Sequence, residues 1–161
     1  MVSKEPLGIY LNDHLAGSVG ALELIRNSMS ENEGTPLGAF LESLLPDLEA
    51  DSESLKALMT RLEIKPQPVK QAGAWVMEKL TRLKLENPIT GNQGVAKLLA
   101  LETLSMGIEG KLRLWQSLKE VASDDACFSE TELDSLVQRA EQQLEALETH
   151  RLAAAARAFR A

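Results

Sequence analysis

The amino-acid sequence predicts an all-α fold. Apolar residues return every three or four positions almost throughout, and no stretch alternates with the two-residue period of a strand. Clusters of Pro, Gly, Asn and Ser cut this pattern into separate runs, which are read as helices over about 6–29, 36–63, 69–85, 93–121 and 130–159.

The first run carries the stripe Leu11, Leu15, Ser18, Leu22, Ile25 and Met29. Small residues beside it (Ala16, Gly17, Ser18, Gly20, Ala21) leave room for a neighbouring helix or a large side chain. The second run opens with Thr35 as N-cap and Pro36 in the first helical position, a favoured start. Its seam is Leu37, Leu41, Leu44, Leu48, Asp51, Leu55, Leu58 and Leu62, with Pro46 inside it as an expected kink. The third run is shorter, buries Val69, Ala72, Val76, Leu80 and Leu83, and holds Trp75 at one edge. The fourth has the stripe Leu98, Leu101, Leu104, Ile108, Leu112, Trp115 and Leu118. The fifth begins with a capping box, Ser129 and Glu132, and carries Leu133, Val137, Ala140, Leu144 and Leu147 before an alanine-rich tail.

Length and composition narrow the class. The 161 residues suit one helical-bundle domain with a sizeable core, and the 44% apolar content is that of a folded chain. A net charge of −7 argues against a nucleic-acid or anionic-membrane binder, both of which need clustered Lys and Arg. The single cysteine, Cys127, excludes an intrachain disulfide, and Asp124 and Asp125 beside it oppose thiolate formation. No run reaches the roughly 18 uncharged apolar residues that a bilayer span requires, so a soluble cytoplasmic protein is expected. Residues 27–55 contain seven acids and no Lys or Arg, whereas residues 56–84 contain seven bases and two acids. The basic third helix is expected to lie across the acidic second one; a docking surface for a charged partner is the alternative.

Helix lengths suggest a topology. Short connections make the first and second, and the fourth and fifth, helices antiparallel pairs. The long link between the pairs contains the short third helix, which would run back along the bundle and leave the second and fourth helices parallel. A plain five-helix array is the alternative.

Polar residues on or beside the stripes are the functional lead, because burying them is costly unless they are satisfied. Tyr10, His14 and Ser18 lie along one line of the first helix. Asp51 interrupts the seam of the second, Glu102 and Glu109 flank that of the fourth, and Glu141 that of the fifth. In the paired-hairpin topology His14, Asp51, Glu109 and Glu141 fall near one height, with Glu23 and Glu102 in a second layer. Tyr10, His14, Asp51, Glu109 and Glu141 form the candidate core cluster or ligand pocket.

The helix count, the crossover and the carboxylates on long helices resemble the ferritin-like bundles. That resemblance implies four long helices plus a shorter crossover helix. In its di-metal carboxylate members, metal is held by one Glu from each of two helices and a Glu-x-x-His pair from each of the others. This sequence has no Glu-x-x-His. Its nearest segments are Glu49-Ala-Asp-Ser52 and Glu145-Ala-Leu-Glu148, and its histidines are His14 and His150. The segment from Tyr10 to Gly17 is also similar to that of small bacterial helical proteins of no assigned activity.

Three readings follow. The first is a bundle whose polar residues organise its core or a small-ligand pocket, with no catalytic residue and no cofactor assigned. The second is a degenerate metal-carboxylate protein holding iron or manganese through His14, Glu23, Asp51, Glu102, Glu109 and Glu141. The third is a protein interaction module, with a homodimer through the small-residue face of the first helix. No phosphate loop, nucleotide fingerprint or catalytic triad occurs.

Overall fold

Helix-forming Leu, Ala, Glu and Lys dominate the chain, and burying their apolar stripes against one another is what makes long helices stable. A computed structural model describes residues 2–68, 78 and 93–160. Among these, four long α-helices and one short 3-10 turn occur, with no strand. They are α1 (Lys4–Glu31), α2 (Pro36–Arg61), α3 (Gln93–Lys119) and α4 (Glu130–Phe159), with the 3-10 turn at Ala122–Asp124. The expected helix over 69–85, with Trp75 and its basic face, lies outside the described residues except for Glu78, which is helical. No described helix is long and apolar enough to cross a membrane.

Contacts fix the helix directions. Lys4 meets Glu63, Ser18 meets Ser52 and Arg26 meets Glu49, so α1 and α2 are antiparallel. Lys119 pairs with Asp134 and Arg151 with Glu102, so α3 and α4 are antiparallel. Tyr10 reaches Ser117, and Gly107 faces Ala21, which sets α1 antiparallel to α3. Arg61 bonds Glu132 and Phe40 stacks on His150, which does the same for α2 and α4. It follows that α2 and α3 run parallel.

Local chemistry sets the helix ends. Asn32 donates through its side chain to the Ser28 carbonyl at 2.7 Å, and Gly34 adopts a positive φ of 72°. The Thr35 hydroxyl oxygen then accepts from the Gly38 N–H at 3.1 Å, with Pro36 behind it. A Cβ on Gly38 would stand 2.2 Å from the Asn32 carbonyl oxygen, so only glycine allows the turn to fold back this tightly. α2 continues through Pro46 without a break in its helical span. It stops where Glu63 takes a left-handed φ of 57° and the Ile64 N–H reaches the Met59 carbonyl at 2.8 Å, a Schellman-type ending. Ser129 caps α4 by accepting from the Glu132 N–H, as its capping box predicts.

The core is divided in two. One apolar cluster gathers Ile25, Leu41, Leu44, Leu101, Leu104, Ile108 and Leu147. The other gathers Leu11, Leu15, Leu55, Leu58, Met59, Leu114, Trp115, Leu118 and Leu136. Between them the seams turn polar: Asp51 and Ser52 on α2, Lys111 on α3 and Gln143 on α4 meet there, with Ser18 of α1 against Ser52.

The α1–α2 turn is testable. Gly38→Ala should destabilise the protein more than Thr35→Ala, whose lost cap is worth about 1 kcal/mol. Urea midpoints of the two variants check the order.

Candidate functional site

Asp51 is the centre of the polar layer. Its side chain is 2% exposed, and both carboxylate oxygens are saturated. Oδ1 accepts from Arg139 Nε at 2.6 Å and from the same guanidinium's Nη2. Oδ2 accepts from Lys111 Nζ and, at 3.1 Å, from the Gln143 amide. Lys111 Nζ also donates to Gln143 Oε1, which closes a ring of three side chains from three helices. Lys111 is itself 15% exposed and Arg139 34%. Burial lowers the Lys111 pKa; Asp51 opposes that shift and Arg139 adds to it.

Beside this network lies a cavity of about 180 Å³ between α1, α2 and α3. Its apolar wall includes Leu48, Leu55, Ile108, Leu114 and Trp115, and its polar wall includes His14, Ser18, Asp51, Ser52 and Lys111. Exposed Asp13 stands at its rim. Gly17, Gly107 and Gly110 line this space without side chains. A Cβ on Gly17 or Gly110 would meet nothing within 4 Å, and one on Gly107 would come only within 3.7 Å of Ala21. Helix packing therefore does not demand glycine at these positions, and glycine in a helix costs roughly 0.8–1.0 kcal/mol relative to alanine.

His14 is half-buried and stands edge-on to the Tyr10 ring, with centroids 4.6 Å apart. Burial lowers its pKa, against a smaller opposing effect of Asp13. The Tyr10 hydroxyl donates to Ser117 at 3.3 Å. Ser18 donates to the Leu15 carbonyl and contacts the Ser52 hydroxyl at 3.1 Å, so the paired serines stay satisfied. The Trp115 indole N–H is buried without a partner among the described residues.

The candidate residues separate into two groups. His14 and Asp51 line the same cavity, with Tyr10 against the imidazole. Glu109 instead pairs with Arg113 on the surface of α3 at 2.6 Å, and Glu102 meets Arg151 at 3.4 Å. Glu141 and Glu23 are exposed. A metal ligand set of His14, Glu23, Asp51, Glu102, Glu109 and Glu141 is thus not assembled. Among the described residues no three His, Cys, Asp or Glu side chains converge on a possible ion position. Asp51 also fits a metal poorly, because its oxygens already face an ammonium and a guanidinium. Cys127 donates to the Arg61 carbonyl, and hydrogen bonding to Asp125 raises its pKa, in line with the acidic loop around it.

Lys111, Arg139 and Gln143 are the site residues that the apolar stripes passed over. For two of them the signal is spacing: Lys111 falls in the series Leu104, Ile108, Lys111, Trp115, Leu118, and Gln143 in Leu136, Ala140, Gln143, Leu147, while Arg139 falls in neither. Each series steps by four and three, so a polar residue within it points inward. No known protein family, curated protein or solved structure matches the chain.

Two outcomes follow. Asp51→Ala strands a buried ammonium and should cost about 3–5 kcal/mol in urea unfolding, whereas Lys111→Met, which leaves Asp51 its guanidinium and amide, should cost less. His14 gives a pH signature. Its native pKa lies below the ordinary 6.5, so near that pH the unfolded chain binds more protons. Stability therefore falls as pH drops through this window and levels off below the native value. His150, also lowered by burial, adds the same sign. His14→Phe should flatten part of the fall in melting temperature between about pH 7.5 and 5.5.

Proposed function

We propose that this protein is a small-molecule-binding helical bundle of ferritin-like connectivity, taking a compact, largely apolar ligand in the cavity between α1, α2 and α3. The cavity carries the reading. Apolar spaces of about 150 Å³ hold benzene, and this one is of that order. Ligand sites are mostly apolar with a few convergent polar groups, and the His14, Ser52 and Lys111 wall has that character. Two of its groups, His14 and Lys111, have perturbed pKa values, as functional sites often do. Gly17 and Gly110 keep the space open at a cost in helix propensity that packing does not require.

The ferritin-like connectivity draws support from the parallel α2 and α3, the arrangement that two hairpins joined by one long link would give. The metal-carboxylate alternative is not supported by the charge around Asp51: two cations already share this carboxylate.

Toluene is a suitable neutral probe. It should raise the melting temperature of the native protein in proportion to its binding. Gly110→Leu should fill the space, keep the fold and remove the toluene response. A native protein indifferent to toluene, or a Gly110→Leu variant that responds as strongly as the parent, would overturn the pocket reading.

A further inference from the structure

We propose that the ligand is a monoanion, a carboxylate on a compact apolar body, whose charge is received by the Lys111 ammonium; this rests on the pocket reading and adds the ligand's charge to it.

Charge balance is the first argument. One buried carboxylate, Asp51, serves two cations at once, Lys111 through Oδ2 and Arg139 through Oδ1. Counted together, these three groups leave one positive charge without a buried partner. The other acids nearby are Asp47, whose field reaches Lys111, and Asp13 at the cavity rim. Both are exposed and face water, which screens them. Asp47 also lies on the far side of the network, in the groove formed by Phe40, Arg139 and Gln143. A carboxylate entering the cavity would supply the missing negative charge.

Donor capacity is the second. An ammonium has three N–H groups. Lys111 gives one to Asp51 and one to Gln143, and the third has no acceptor among the described residues. Lys111 is also the cation that lines the cavity, whereas Arg139 faces the opposite groove. The apolar wall beyond it, with Leu55, Ile108, Leu114 and Trp115, suits a hydrocarbon or aromatic body of about benzene size. A dianion or a phosphate would exceed the single unmatched charge.

The test compares benzoate with its neutral isostere benzamide by titration calorimetry on the full chain. A charge-assisted hydrogen bond in a partly dry site should favour benzoate by roughly tenfold or more. Lys111→Met should erase that preference. Arg139→Gln should also reduce it, although Arg139 does not line the cavity, because Asp51 and Lys111 would then balance one to one. Circular dichroism establishes that each variant is folded; should Lys111→Met fail to fold, Arg139→Gln alone decides. Benzamide binding as tightly as benzoate would overturn the proposal, as would a benzoate preference that the readable variants leave intact. Toluene binding with no benzoate binding would remove the anion and leave the pocket. Failure of all three probes would remove both.

Discussion

Asp51 holds a cation from α3, and a cation and an amide from α4, while sitting on α2. A carboxylate this deeply buried is tolerable only when its partners arrive together, because an unmatched charge in a dry interior costs several kcal/mol. Three helices must therefore keep their rotation and their height for the layer to exist. A slip of one turn in α3 would carry Lys111 past the carboxylate, and a slip in α4 would carry off Arg139 and Gln143. The apolar seams supply the drive to pack, but leucines tolerate several alignments. The ionic layer discriminates among them.

The cavity follows from the same layer and from the helices' small residues. Where α1 passes α3, Gly17, Ala21, Gly107 and Gly110 face a common space, and neither helix fills it with a side chain. The network stands along its polar side, so the space is bordered by charge on one wall and by Leu55, Ile108, Leu114 and Trp115 on the other. The groove on the far side, by Phe40 and Arg139, gives the network a second face toward water.

Much of this was legible in the amino-acid sequence. Thr35-Pro36 and the Ser129–Glu132 box fixed two helix starts to the residue, because caps act locally. Asp51 announces itself by sitting in a leucine seam, and the small residues of α1 mark room for a neighbouring helix or a large side chain. Lys111 and Gln143 were equally placed in seams but were passed over in favour of Leu112 and Leu144, apolar neighbours one position away. On a helix with leucines on adjacent faces, either phase of the stripe fits, and the winning phase depends on the partner helices. Glu109 and Glu141 came near the right height, yet height says nothing about rotation. One residue around the helix is 100°, enough to turn a carboxylate from the core to an arginine on its own surface.

The polar layer also separates two greasy compartments, each built from segments of all four helices. Each compartment gathers residues far apart in the chain, Leu11 and Phe128 in one, Leu37 and Ala154 in the other. Neither hairpin can then detach as a unit without tearing both compartments, while one end of the barrel of helices can loosen and leave the opposite end packed. The division of the core is thus transverse, across the rods, and the ion-paired layer is what bridges it.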